Sequence, residues 1–147
     1  MAHFLPDEQA TLDFGASIAK WLPQNGVIFL HGPLGAGKTT LVRGILNAKG
    51  HKGSTKSPTF TLVEPYQIED SQFYHFDLYR LTDPEELEFM GFRDYLEENA
   101  LCLIEWPEKG GDYLPKADLE ITLSYQGEQR SIRIDINNPV WKELVNS

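Results

Sequence analysis

Gly26-Val27-Ile28-Phe29-Leu30-His31 runs directly into Gly32-Pro33-Leu34-Gly35-Ala36-Gly37-Lys38-Thr39, and Thr40 to Lys49 follows with Leu41, Val42, Ile45 and Leu46 at helical spacing. The middle segment meets the pattern G-x-x-x-x-G-K-[ST] at every required position. The apolar run before it reads as a short buried strand, and the segment after it as a helix. Strand, glycine loop and helix is the order that phosphate binding needs. Glycines let backbone N–H groups turn inward around phosphate oxygens, because no Cβ blocks the approach. The helix N-terminus adds its partial positive charge. In this pattern Lys38 reaches the β- and γ-phosphates and the Thr39 hydroxyl meets Mg²⁺, with Gly32, Gly35, Ala36, Gly37 and Thr40 completing the cradle. A plain glycine turn would leave the Lys38-Thr39 pair without a purpose.

Composition sets the frame. The chain has 147 residues, 41% of them hydrophobic, which is enough for one domain with a single core and leaves little room for lids or insertions. Its 22 acidic against 13 basic residues give a net charge of −9, which opposes direct binding to a nucleic-acid backbone. The one basic cluster, Lys49, His51, Lys52 and Lys56, lies in a Gly/Ser-rich stretch and reads as a mobile loop. The single cysteine, Cys102, excludes an intrachain disulfide and speaks against a cysteine metal site. Met1 to Glu8 has neither a basic region nor a long apolar stretch, so neither signal peptide nor membrane span is expected, and a reducing cytoplasm is the expected location.

Outward from the loop, Pro6 to Leu22 reads as a helix, with Leu12, Ala16 and Ala19 at helical spacing. Gly50 to Pro58 reads as a loop. Thr59 to Gln67 and Gln72 to Arg80 read as strands joined around Glu69-Asp70-Ser71. Asp83-Pro84-Glu85-Glu86 is a helix start with Asp83 as the N-cap, and Gly91 separates that helix from a second over Phe92 to Asn99. Leu101-Cys102-Leu103-Ile104-Glu105 is expected to be a central strand buried on both faces. Leu119 to Ser124 and Ser131 to Ile136 form a final antiparallel pair, and Pro139 to Val145 a terminal helix. Together these predict one three-layer α/β domain with a mixed sheet, P-loop NTPase-like in kind.

Three places carry further chemistry. Glu105 ends the central strand, where open α/β sheets place their ligands. In phosphate-loop proteins an acid there holds Mg²⁺ or polarises the attacking water. The usual residue is Asp; the longer Glu reaches the metal through water or acts as the base. In Tyr74-His75-Phe76-Asp77-Leu78-Tyr79-Arg80, alternation puts His75, Asp77 and Tyr79 on one face. Two readings of Asp77 stand open: a second acid near the γ-phosphate, or a structural partner of Arg80 or His75. Ser54 to Phe60 is either a hydroxyl-rich segment that closes over the γ-phosphate or an ordinary polar connection, and Trp106 either covers the site or belongs to the core.

Taken together, Gly32 to Thr40, Ser57-Pro58-Thr59-Phe60, His75-Phe76-Asp77-Leu78-Tyr79-Arg80 and Glu105-Trp106-Pro107-Glu108 resemble the bacterial TsaE (YjeE) ATPases over essentially the whole chain. The phosphate loop is common to many proteins; the His-x-Asp-Leu-Tyr-Arg and Ile-Glu-Trp-Pro-Glu segments are far more specific. The resemblance implies a role in forming N6-threonylcarbamoyladenosine at position 37 of tRNAs that read codons beginning with A. In that pathway a TsaD–TsaB pair transfers the threonylcarbamoyl group, and the small ATPase supports repeated turnover. It implies ATP/ADP and Mg²⁺ as cofactors, Lys38 and Thr39 as phosphate and metal residues, Glu105 as the metal-associated acid and Asp77 as a second acid of the reaction. It also implies that Thr59 belongs to a switch-like loop and that Trp106 sits beside the site. Thr11 matches a hydroxyl near the nucleotide, Arg133 stands as the basic residue from the last strand pair, and Glu108 as a residue lining the base side. The expected protein is a monomer when alone, meets tRNA only through its partner pair, and hydrolyses ATP slowly, since no arginine finger other than Arg80 is evident in cis. The competing readings are a small-molecule kinase using the same loop and a nucleotide sensor in which binding alone matters.

Overall fold

The apolar runs of this chain alternate in a way that commits each strand to a particular face, and the fold follows from those commitments. The computed structural model describes residues 2–55, 58 and 60–145. The described elements are, in order, β1 (Ala2–Leu5), α1 (Glu8–Ala19), β2 (Gly26–His31), α2 (Lys38–Lys49), β3 (Val63–Ile68), β4 (Ser71–Asp77), α3 (Glu86–Phe89), α4 (Phe92–Glu97), β5 (Ala100–Glu105), β6 (Leu119–Gln126), β7 (Gln129–Ile136) and α5 (Pro139–Val145). Two 3₁₀ turns, Pro107–Lys109 and Gly111–Tyr113, link β5 to β6.

The strands form one mixed sheet in the order β1-β7-β6-β2-β5-β4-β3. The central four, β6-β2-β5-β4, are parallel, while β3, β7 and β1 add antiparallel margins. Ile28, Leu30, Leu101, Leu103 and Phe73 face one side, where they join Leu41, Ile45 and Leu46 of α2 and Ile18 of α1. Cys102, Ile104, Tyr74 and Phe76 face the other, under Leu87 of α3 and Phe92 of α4. Burying each of these large apolar side chains is worth about 1.5–3 kcal/mol, so the alternation holds the strand register firmly.

Several boundaries differ from the sequence reading, each for a local reason. The first helix begins at Glu8 because Asp7 caps it, its Oδ1 accepting from the Ala10 N–H at 2.8 Å. Strand β4 stops at Asp77, not Arg80: the Asp77 carboxylate accepts from the Tyr79 N–H at 3.0 Å and turns the chain. Strand β3 starts at Val63, after a turn in which the Leu62 N–H donates to the Pro58 carbonyl at 2.8 Å. The helix expected from Asp83 begins at Glu86; Asp83 instead accepts from the Glu85 N–H while the Glu86 carboxylate accepts from the N–H groups of Thr82 and Asp83. Those bonds hold the Glu86 carboxyl below its ordinary range. Strand β1 has no counterpart in the sequence pattern. It pairs along β7 through its backbone, and of its side chains only Leu5 is buried, so it has no apolar alternation to read.

Candidate nucleotide and metal site

The site is built where β2, β5 and β4 end together. Leu30, Glu105 and Asp77 are register partners across the three strands, so the two acids lie in one row beside the start of the phosphate loop. Glu105 shares its face with Leu101 and Leu103, and Asp77 shares its face with Phe73 and His75. Both acids therefore sit on the α2 side of the sheet, buried at 3% and 5% exposure.

The loop itself needs its glycines. Gly32 has φ +147°, and a Cβ there would lie 2.7 Å from the Leu123 carbonyl; Gly37 has φ +106° and a Cβ there would rest against Thr11. The loop thus presses on β6 on one side and on α1 on the other. Helix α2 starts at Lys38, the residue after Gly37. Lys38 folds back over the loop, donating from Nζ to the Gly32 carbonyl at 2.6 Å and resting 3.5 Å from the centre of the Trp106 ring. Burial lowers the Lys38 ammonium from its ordinary value, and the negative charges of Glu105, Glu108 and Asp77 oppose that shift.

Thr39, one residue on, donates its hydroxyl to Glu105 Oε2 at 2.9 Å. The same oxygen lies 2.6 Å from His75 Nε2. Trp106 follows Glu105 with left-handed backbone angles (φ +57°, ψ +51°), an unfavourable conformation for so large a residue. That kink lays its ring between Lys38 and Tyr79, whose ring centre is 5.0 Å away.

Two cavities flank the loop. One, of about 420 Å³, lies on the acid side and is lined by Lys38, Thr39, Asp77, Arg80, Glu105 and Trp106, among others. Arg80 is at its rim with its guanidinium 4.5 Å from the Phe60 ring centre. The other, of about 250 Å³, lies on the α1 side and is lined by Thr11, Gly35, Ala36, Gly37, Thr40 and Arg130, among others. The structure therefore gathers around the loop the residues Thr11, Lys38, Thr39, Thr40, Asp77, Glu105 and Trp106. Thr59 lies outside the described residues.

Two expected residues are placed elsewhere. Arg133 is on the wrong face of β7: Ile132 points into the core beneath the helices, so its neighbour Arg133 points to the opposite side, where it pairs with Asp135. The basic residue that reaches the loop is Arg130, three positions earlier and of the other parity. Its guanidinium donates to the Gly35 carbonyl at 3.4 Å and stacks 4.4 Å from the Tyr125 ring centre, and the Tyr125 hydroxyl itself donates to the Leu34 carbonyl. Alternation along β7 was the signal that separates the two arginines. Glu108 lines neither cavity; it is exposed, and its charge acts on Lys38. His75, which alternation places on the same face as Asp77, is fully buried, and its ring touches Glu105 directly.

A family model described as Threonylcarbamoyl adenosine biosynthesis protein TsaE matches residues 5–132. The chain belongs to the TsaE family. It is 46% identical to the tRNA threonylcarbamoyladenosine biosynthesis protein TsaE of Haemophilus influenzae, over all of this chain and 96% of that one. The TsaE protein of Rickettsia felis is 35% identical over 97% of this chain and 83% of its own length. Among solved structures, that of Bacillus subtilis YdiB superposes with a TM-score of 0.80 at 25% identity, covering 99% of this chain and 91% of that one. Membership in TsaE associates the chain with tRNA threonylcarbamoyladenosine biosynthesis. The fold agrees with a P-loop NTPase-like α/β domain, and no helix among the described residues is long and apolar enough to cross a membrane.

Proposed function

We propose that this TsaE protein binds ATP with Mg²⁺, hydrolyses it slowly, and thereby supports formation of N6-threonylcarbamoyladenosine at position 37 of tRNA by acting on a TsaD–TsaB pair. The observation that carries the reading is the Thr39–Glu105 hydrogen bond beneath the phosphate loop. A hydroxyl that gives its proton to a carboxylate keeps its oxygen lone pairs for a hard cation. Glu105 Oε2 already accepts twice, so its other oxygen is the one available to a metal or to a metal-bound water. No cluster of three or more His, Cys, Asp or Glu among the described residues is placed to hold a metal alone. That suits Mg²⁺, which takes one or two carboxylates and completes its shell with phosphate oxygens and water. When bound, the ion would neutralise charge on the phosphates.

The chain's own residues divide the remaining work. Backbone N–H groups of the loop receive the phosphates, and Lys38 leaves the Gly32 carbonyl and the Trp106 face to meet them. Asp77, in the same cavity as Thr39 and Glu105, stands where it can orient an attacking water. The cavity on the α1 side, with Thr11, Thr40 and Arg130, is left for the nucleoside and its nearer phosphates. Slow hydrolysis agrees with Arg80 resting on Phe60. The net charge of −9 favours a protein partner over direct contact with tRNA. The chain is read as a cytoplasmic monomer until it meets that partner.

The test is ATP hydrolysis by the purified protein with and without the TsaD–TsaB pair, scored beside repeated tRNA modification. Hydrolysis that appears mainly with the pair, and is abolished together with repeated modification by Lys38→Ala, is the expected result. Turnover indifferent to the pair, with modification proceeding in the protein's absence, overturns it; phosphate transfer from ATP to a small acceptor would then identify a kinase. A Glu105→Ala variant that binds ATP without hydrolysing it, yet sustains repeated modification, would make the protein a sensor instead.

A further inference from the structure

His75 enters the reading above only as one of two bonds to Glu105 Oε2, and it is completely buried beside the site, at 0% exposure. A polar ring in that position costs stability unless its nitrogens are paired. Nε2 has Glu105 Oε2 at 2.6 Å, while Nδ1 has no partner among the described residues. A carboxylate oxygen only accepts, so the proton of this bond sits on Nε2. The neutral ring then leaves only an unshared electron pair at Nδ1, whereas an imidazolium would bury an unpaired N–H.

The backbone shows why the contact forms. The register partner of His75 on β5 is Leu103, and Glu105 stands one pleat beyond it on the same face. Glu105 therefore leans back across the strand pair to reach the ring. From the sheet, His75 donates to Oε2; from the first turn of α2, Thr39 donates to the same atom. Two donors from two layers converge on one oxygen, which fixes the carboxylate and leaves its second oxygen to the cavity that Glu105 lines.

We infer that His75 is the positioning residue of this site: its Nε2–H holds the Glu105 carboxylate in the orientation that serves Mg²⁺. The inference rests on the proposed Mg²⁺ role of Glu105. His75 touches neither nucleotide nor metal and acts only through Glu105. Leu at position 75 would fill much of the same space without the donor. Gln restores a donor at the Nε2 position.

The experiment measures ATP affinity of the full-length protein in EDTA and across a MgCl₂ titration, for wild type, His75→Leu and His75→Gln. His75→Leu is expected to keep its affinity in EDTA and to need about tenfold more Mg²⁺ for the same gain, the usual scale for losing a group that orients a ligand. His75→Gln is expected to recover most of that loss. If wild type gains nothing from Mg²⁺, the proposed function itself fails. If wild type gains and His75→Leu gains equally, only the His75 inference fails. It fails too if Gln does no better than Leu, since the ring then merely fills space. Should His75→Leu not fold, long-range ¹H–¹⁵N spectra of the wild-type imidazole decide: a proton on Nε2 is expected, and a proton on Nδ1 alone overturns the assignment.

Discussion

Helices α1 and α2 cross at two glycines, and a methyl group placed there tests the whole seam. A Cβ on Gly44 would lie 2.5 Å from the Leu12 carbonyl oxygen, 3.0 Å from Leu12 Cα and 3.1 Å from Leu12 C; on Gly15 it would meet the Leu41 carbonyl at 2.7 Å. These are backbone atoms, so no side chain can rotate away and the helices must part. Two effects oppose each other in Gly44→Ala. Alanine is the better helix former by about 1 kcal/mol, while forcing atoms into a packed interface costs about 1–3 kcal/mol. The nearest contact is about 0.5 Å inside the 3.0 Å that Cβ atoms respect, and three backbone atoms are involved, so the clash should win. The expected net loss is roughly 1 kcal/mol, read as a lower urea midpoint at unchanged slope. Thr11 precedes Leu12 and rests against Gly37, so the same substitution should weaken ATP binding severalfold. A Gly44→Ala protein that is more stable and binds ATP as wild type does would refute the close-packed seam and its link to the loop.

Other outcomes follow from the same geometry. Arg130→Ala should weaken ATP binding about tenfold, or ~1.4 kcal/mol, while Arg133→Ala should leave it unchanged by calorimetry; the reverse order would mean that β7 runs in the other parity. Burial pushes the Cys102 thiol up to about 12, so a disulfide reagent should modify it only as fast as the chain unfolds, and rapid labelling of the native protein would contradict that burial. Because the folded chain keeps that proton up to about 12 and the unfolded chain releases it near 9.0, stability should fall as pH rises above 9. Tyr74 acts in the same sense, raised to about 12 by burial and by its bond to Glu98, and a Cys102→Ala, Tyr74→Phe pair should flatten the alkaline limb of the urea-midpoint profile.

The central part of this fold was legible because burial writes itself into alternation. Leu101 to Ile104 had to be a buried strand, and the parity of His75 and Asp77 against Tyr74 and Phe76 followed from period-two spacing. The tight loop between β2 and α2 was legible from its own glycines. The rest of the fold depends on contacts that no local pattern records. Strand β1 is held by backbone pairing to β7, 125 or more positions away, and carries one buried side chain. Arg130 and Arg133 are equally basic and lie on the same strand; the burial of Ile132 between them decides which one faces the loop. The bond from His75 to Glu105 joins residues 30 positions apart and exists because the two strands align Asp77 with Glu105, a register that neither segment states alone.

That register also explains why the site cannot be separated from the core. Asp77, Glu105 and Leu30 share a row because β4, β5 and β2 are locked by Phe73, Leu101, Leu103 and Ile28 beneath α2. Slipping β5 by a single residue would turn Glu105 toward the α3 and α4 side and bring Ile104 against Thr39. It would also expose Leu101 and Leu103 to the wrong neighbours, at about 1.5–3 kcal/mol for each side chain whose burial is lost. The aim of the acid is therefore set by residues that line neither cavity beside the loop. Truncating Leu103 to Ala should disturb Glu105 through register and packing, lowering Mg²⁺-dependent ATP binding as well as stability. Truncating Leu46, equally buried but at the far end of α2, should lower stability alone. Equal loss of stability from the two, with ATP binding falling only for Leu103→Ala, is the signature of a core that positions the site.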